Sequence, residues 1–241
     1  MSVLLQDSFL SLKKDIVQLS ILDALALISG RYPGKVVFST SFSYEDQVIT
    51  DIISRSSSVH IFTLDTGRLF PETYSTWTRT LERYDILIQA YYPNEEDIKQ
   101  FVTTNGPNAF YKSVELRQSC CAIRKVHPLK KALQGNAVWI TGLRAQHSPN
   151  RNDLEVLEWD ETNQIIKYNP LLNWTTEQVR NYIDEHHVPY NALHDRGYVS
   201  IGCAPCTRAI KEGEDFRAGR WWWEDESKKE CGLHVHTILG K

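Results

Sequence analysis

Between residues 8 and 29 apolar side chains recur at helical spacing (Phe9, Leu12, Ile16, Leu19, Leu22, Leu25, Ile28), and Gly30 with Pro33 stops the run, so the chain is expected to open on a helix. Four short β-rich runs follow: KVVFS at 35–39, VHIFTL at 59–64, DILIQAYY at 85–92 and NAVWITGL at 136–143. Helical patterns fill the intervals at 45–55, 71–84 and 95–104, and a longer one covers 113–133. Strand alternating with helix predicts an α/β fold, a mainly parallel sheet flanked by helices on both faces. After Gly142 the pattern changes. GLRAQHSPNRNDL is polar, carries Pro149 and reads as a long functional loop. LEVLEWD and QIIKYNPL flank a DETN turn and are expected to pair as a hairpin. Thr175 with Gln178 makes a capping box ahead of Val179, Tyr182 and Ile183, which predicts a helix over 176–186. Beyond Pro189 the chain is loop-rich, with CAPC at 203–206 and three tryptophans at 221–223. The expected organisation is one domain over 1–215 and a C-terminal tail over 216–241.

Composition narrows the function. With 241 residues and 41% apolar content the chain can bury a sizeable core. Its formal charge is -3, from 27 Lys and Arg against 30 Asp and Glu, which argues against a nonspecific nucleic-acid binder or a basic membrane-surface protein. Any anionic ligand must then be met by locally placed cations. The N-terminal stretch has no positive leader, and Asp7, Lys13, Lys14 and Asp15 interrupt its apolar run, so neither a signal peptide nor a membrane span is expected. The expected compartment is the cytoplasm, where thiols stay reduced and read as metal ligands or catalysts before disulfides.

There are five cysteines, four of them in two pairs: Cys120 with Cys121 inside a helical pattern, and Cys203 with Cys206 in a CxxC. A CxxC alone suits a zinc half-site, a redox pair or half of an iron-sulfur site. Two pairs suit Zn²⁺ or a four-iron cluster equally by count. Adjacent cysteines on a helix diverge by about 100° and meet one small ion poorly, whereas a cubane offers a separate iron to each thiolate. Lys125, four residues after Cys121, falls on the same helical face, where it would stand beside a negative cluster and attract an anionic substrate.

The first half carries a candidate phosphate site. FSTSFSYEDQV (38–48) runs from the first strand into a helix, where a parallel-sheet protein presents backbone N–H groups to an anion, and Ser39, Ser41 and Ser43 add hydroxyl donors. The GxxxxGK[ST] form is absent, so this is not a Walker loop. LDTGRLFPET places Leu64, Asp65, Thr66 and Gly67 at the end of the next strand, where a ribose or base can be held. Arg144 and Arg151 in the long loop, and Arg217 and Arg220 in DFRAGRWWWE, read as clamps for phosphate or sulfate, because the guanidinium fork matches those oxygens. The fifth cysteine, Cys231, has Lys228, Lys229, His234 and His236 nearby to favour a thiolate, with Glu230 opposing them.

Together, STSFSYED, LDTGR, CCAIRK, ITGLRAQHSP, GCAPCTRAI, EDFRAGRWWWE and ECGLH resemble the assimilatory sulfonucleotide reductases, specifically the thioredoxin-dependent adenylylsulfate reductases of bacteria. These segments span residues 39–234. The resemblance implies an adenine-nucleotide α-hydrolase-like fold related to the ATP pyrophosphatases, and a [4Fe-4S] cluster on Cys120, Cys121, Cys203 and Cys206. It also implies Cys231 as nucleophile with His234 beside it, and a thioredoxin or glutaredoxin-like reductant. The implied reaction reduces adenylylsulfate to sulfite and AMP for cysteine biosynthesis. Relatives that use 3'-phosphoadenylylsulfate usually lack both cysteine pairs, so adenylylsulfate is the expected substrate, with the 3'-phosphorylated nucleotide or dual use as the alternative. No nucleic acid or membrane partner is implied, and a homo-oligomer is left open. A pyrophosphatase-type tRNA thiolation enzyme would need the SGGxDS loop, which STSFSYED lacks. A tetrathiolate zinc module is separable from the cluster by colour.

Overall fold

The computed structural model describes residues 2–55, 58–147 and 154–224. In it the opening apolar stripe is carried by two helices, α1 (Ser2–Ile16) and α2 (Ile21–Arg31), rather than one. Ser20 is the reason: its hydroxyl accepts from the Asp23 amide at 3.2 Å and starts α2 afresh. The strand and helix alternation follows the expectation closely: β1 (Val36–Thr40), α3 (Tyr44–Ser54), β2 (His60–Leu64), α4 (Pro71–Tyr84), β3 (Ile88–Tyr91) and α5 (Glu95–Asn105). The pattern at 113–133 is broken into α6 (Val114–Cys121), a π-helical turn (Ala122–Val126) and α7 (His127–Leu133). Then come β4 (Val138–Ile140), β5 (Leu157–Asp160), β6 (Ile165–Tyr168) and α8 (Thr176–Glu185), which has the expected capping box on Thr175 and Gln178.

The six strands are ordered β3-β2-β1-β4-β6-β5. β1 pairs in parallel with β2 and β4, and β4 with β6, while β5 and β6 form the expected antiparallel hairpin. β6 thus sits between β4 and β5. The register aligns Phe38 with Ile140 and Ile140 with Tyr168, and these join Leu25, Ile28, Val48, Ile49, Val179 and Ile183 in the apolar core. The other face mixes buried Val37, Phe62 and Trp139 with polar groups. Buried Lys167 pairs with Glu158 at 2.8 Å and lies 5.7 Å from the Trp139 ring, whose N–H donates to Ser39 at 2.9 Å.

The chain groups into two compact units. The first comprises Met1–Thr63, Glu72–Gln89 and Gly135–Ala192; the second comprises Leu64–Pro71, Ala90–Gln134 and Leu193–Lys241. Within the first, α3 is buried along nearly its whole length despite polar residues, several of which find partners on other elements. Gln47 donates to Thr80 Oγ1 and to the Pro189 carbonyl, and Asp51 accepts from Tyr84 and Tyr182. Among the described residues no helix is long and apolar enough to cross a membrane.

Candidate functional site

In the first unit, the strand order reverses direction between β1 and β4, the position at which open parallel sheets bind ligands beyond their strand ends. The loop after β1 turns sharply at Phe42, whose φ is 60° and whose ring stacks on Trp77 at 5.5 Å. The three serines have distinct duties. Ser39 accepts from Trp139 and keeps a proton to donate, whereas Ser43 accepts from the Asp46 amide as the α3 cap and also hydrogen-bonds the Asp46 carboxylate. Ser41 spends its hydroxyl and its amide on Asp46 Oδ2, each at 2.6 Å. Burial lifts the Asp46 pKa from 3.8 to about 6 in spite of these donors. The loop after β4 runs close by, and a Cβ at Gly142 would overlap the Asp46 carboxylate. Arg144 corrects its sequence reading as a cation on a loose loop. It is 1% exposed and bonded to Glu45, Gln146, the Trp174 carbonyl and Thr176, so in this state it pins the loop to α3 and α8.

In the second unit, one cavity is lined by all four paired cysteines together with Arg68, Arg117, Arg124, Lys125, Phe110 and Trp221. The helical stripe Arg117, Cys120, Cys121, Arg124, Lys125 supplies one wall. Opposing it, Ala204–Cys206 form a short 3₁₀ turn that buries Cys203 and Cys206 against Phe110 and Trp221. The LDTG segment also builds this cavity. Thr66 Oγ1 lies 3.3 Å from Cys203 Sγ, the Thr66 carbonyl accepts from Arg124 at 2.5 Å, and Asp65 accepts from the Gly67 amide. Leu64 closes β2 immediately before it. Gly67 has φ 69°, a conformation that favours glycine. Arg220 is buried, bonds Ser200 and the Ile201 carbonyl, and needs Gly202, where a Cβ would come within 2.5 Å of its guanidinium. Arg217 lies 5.9 Å from the Trp221 ring.

Burial pushes the Cys206 thiol up to about 12, helped by Cys203 and opposed by Lys125. Burial raises Cys120 too, against the pull of Arg124. Without a cation these thiols are neutral, and metal binding would displace their protons. The donor set fits an iron-sulfur group. Arg124 Nε, Arg220 Nε and the Trp221 indole N–H are buried without a partner, and sulfur is an acceptor for such donors. Four thiols share the cavity and are the residues that could hold a metal group there.

Ser39, Ser41, Ser43 and Arg144 therefore fall in the first unit, and Leu64, Asp65, Thr66, Gly67, Lys125, Arg217, Arg220 and the four cysteines in the second. Arg151, Cys231 and His234 lie outside the described residues. Arg68, Arg117 and Asp46 were not read from the sequence. Arg117 was legible as the residue one turn before Cys120 and Cys121.

The parallel sheet, its reversal of strand order and the serine loop define an adenine-nucleotide α-hydrolase-like protein. FMN adenylyltransferase of Candida glabrata, with FAD and inorganic pyrophosphate bound, shares the fold at TM-score 0.53 and 13% identity, over 98% of this chain and 80% of that one. The phosphoadenosine phosphosulfate reductase domain profile matches residues 35–209, and the chain belongs to that family. It is 52% identical over 212 residues to an adenosine 5'-phosphosulfate reductase of Rhizobium meliloti (strain 1021), covering 88% of this chain and 80% of the relative. The phosphate complex of phosphoadenylyl-sulfate reductase from Candida auris superposes at TM-score 0.72 and 32% identity, over 85% of this chain and 97% of that one.

Proposed function

We propose that this chain reduces adenylylsulfate to sulfite and AMP, with Cys231 as nucleophile and a thioredoxin- or glutaredoxin-like dithiol protein as reductant, in the cytoplasm. One observation carries most of the weight: both cysteine pairs open on one cavity with Lys125, in a chain about half identical to relatives named adenosine 5'-phosphosulfate reductase. The Cys231 thiolate attacks the sulfur of the sulfate group. An S–S bond forms, and the S–O bond to the AMP phosphate breaks with its electron pair leaving on AMP. A reductant thiolate then attacks Cys231 Sγ and releases sulfite. The second reductant thiol closes the reductant's disulfide and returns Cys231 as a thiol, so two electrons pass from reductant to sulfur.

The chain's own groups serve each step. Ser39 keeps a hydroxyl proton to donate to phosphate, and Ser43 caps α3, whose N-terminus favours an anion. Lys125, Arg217 and Arg220 stabilise the negative charge that develops on the departing phosphate oxygen. His234 is the titratable neighbour that favours the Cys231 thiolate. Cys120, Cys121, Cys203 and Cys206 would hold a [4Fe-4S] cluster, which when bound supplies a fixed local charge beside Lys125. The test is sulfite and AMP release from adenylylsulfate and from its 3'-phosphorylated analogue, with reduced thioredoxin. Preference for the first is expected. Cys231→Ser should keep the visible absorbance and nucleotide binding while producing no sulfite, and retained turnover would overturn the assignment.

A further inference from the structure

Arg117 and Glu224 form a bidentate ion pair, Nε to Oε1 at 3.0 Å and Nη2 to Oε2 at 2.8 Å, with side chains 1% and 4% exposed. Such a pair is costly to desolvate and rarely adds stability over an apolar pair of the same volume, so a role in placement is the better account of it. Its two ends are informative. Arg117 stands on α6 one turn before Cys120 and Cys121 and lines their cavity. Glu224 is the last described residue before the segment that carries Cys231.

The residues between are fastened as well. The Trp221 amide donates to the Cys206 carbonyl at 3.1 Å, and the Glu224 amide donates to the Trp221 carbonyl at 2.8 Å. The Trp221 indole is buried with the Arg117 guanidinium 4.7 Å and the Arg220 guanidinium 4.9 Å from its ring. Trp221 also holds φ 40°, a strained value for a bulky residue that persists only where its surroundings impose it. Residues 221–224 are thus bound to one cysteine pair through Cys206 and to the other through Arg117.

We propose that the Arg117–Glu224 pair is a positioning element for the nucleophile, fixing the root of the C-terminal tail to the helix that bears Cys120 and Cys121. The inference rests on the reading of Cys231 as nucleophile. Cys231 lies seven residues beyond Glu224, so its Cα is at most about 25 Å from that anchor, and the anchor's position limits what the thiol can reach.

Three variants test it: Glu224→Gln, Arg117→Lys and the apolar double variant Arg117→Met with Glu224→Met. The readouts are visible absorbance per chain, AMP dissociation constant, thermal midpoint and the single-turnover rate of Cys231 S-sulfonation, followed by intact mass. Glu224→Gln and the double variant should lose on the order of 10²-fold in sulfonation rate, the cost of a misplacement of about 1 Å, and Glu224→Gln should do so with AMP affinity and absorbance unchanged. The double variant should keep the thermal midpoint while remaining slow, which separates placement from stability. Arg117→Lys, which keeps the charge and loses the fork, should fall between. A double variant that sulfonates at the wild-type rate overturns the proposal. If the wild type forms no S-sulfocysteine from adenylylsulfate, the proposed function fails, and hydrogen exchange then decides on the tether alone. Faster amide exchange over 219–224 in Glu224→Gln upholds it, and unchanged exchange overturns it.

Discussion

Replacing Asp46 with asparagine should make stability less dependent on pH. Asp46 lies at the head of α3, buried, with Ser41 donating to one carboxylate oxygen and the Gly142 backbone close to the other. Its native pKa is raised from 3.8 to about 6, chiefly by burial and in small part by the neighbouring Glu45 charge. An acid with a raised pKa holds its proton longer in the folded than in the unfolded chain. Its contribution to stability is therefore full below pH 3.8 and is lost as pH rises through about 6. The shift is about two units, and at about 1.36 kcal/mol per unit the full swing is about 3 kcal/mol, about half of it between pH 5 and pH 8.

The asparagine side chain has no proton to lose, and its carbonyl can still accept from Ser41. The stability gap between Asp46→Asn and wild type should therefore move by about 1–2 kcal/mol in favour of the variant from pH 5 to pH 8. Urea midpoints of both proteins, taken anaerobically at each pH, measure it. The comparison is made between proteins at one pH and not against an absolute free energy, because two-state unfolding is not assumed for a chain of this size and organisation. Infrared spectra give a second reading: a protonated carboxyl band that disappears between pH 5 and pH 7 in the wild type and is missing from the variant. A gap that stays constant with pH would refute the assignment of a buried, titrating Asp46.

Trp221→Ala should cost about 3–5 kcal/mol, because that indole is 1% exposed, whereas Trp222→Ala should stay within about 0.5 kcal/mol, its side chain being 48% exposed; denaturant midpoints distinguish them. Gly219→Ala sets a Cβ into the backbone carbonyl of Arg208, which cannot swing away, and should cost about 1–3 kcal/mol in the same measurement. Gly202→Ala meets only the far end of Arg220, so its stability loss should be smaller and its nucleotide affinity lower, read by calorimetric titration. Pro128→Ala returns an N–H donor for the Arg124 carbonyl in a regular helix and should leave the thermal midpoint unchanged or raised, read by thermal melting.

Much of the fold was legible because the β-rich runs and helical stripes alternate cleanly. Where it was not, a local feature hid inside a continuous pattern. The stripe from Phe9 to Ile28 keeps its period across the α1–α2 break, and only Ser20 with Asp23 marks the new start. The hairpin was visible in its turn residues, but the insertion of β6 between β4 and β5 depends on pairings between distant segments that no local pattern encodes. The cysteines were legible as two pairs from their spacing, but the cavity that all four line joins segments distant in sequence. Arg144 was misread for the same reason that β6 was: its partners Glu45, Trp174 and Thr176 are distant in sequence, so a polar loop looked free when its arginine is buried. LDTG shows a further limit. Its turn chemistry is as expected, yet Thr66 faces a sulfur whose presence there depends on a cysteine 137 residues away.

CCAIRKVHP joins these local and distant effects. An α-helix drawn through 113–133 would press the Pro128 ring against the Arg124 carbonyl and leave that carbonyl without its N–H partner. The chain avoids this by widening one turn: the His127 amide bonds the Ala122 carbonyl five residues back, and α7 begins afresh with Pro128 in its first turn, where no N–H is needed. The widened turn is the segment that carries Arg124 and Lys125. Both line the cavity with Cys120 and Cys121, and Arg124 reaches the Thr66 carbonyl. The proline that looks like a helix breaker in the sequence thus accounts for the π turn, and the π turn carries two cations that line one cavity with the adjacent cysteines ending α6.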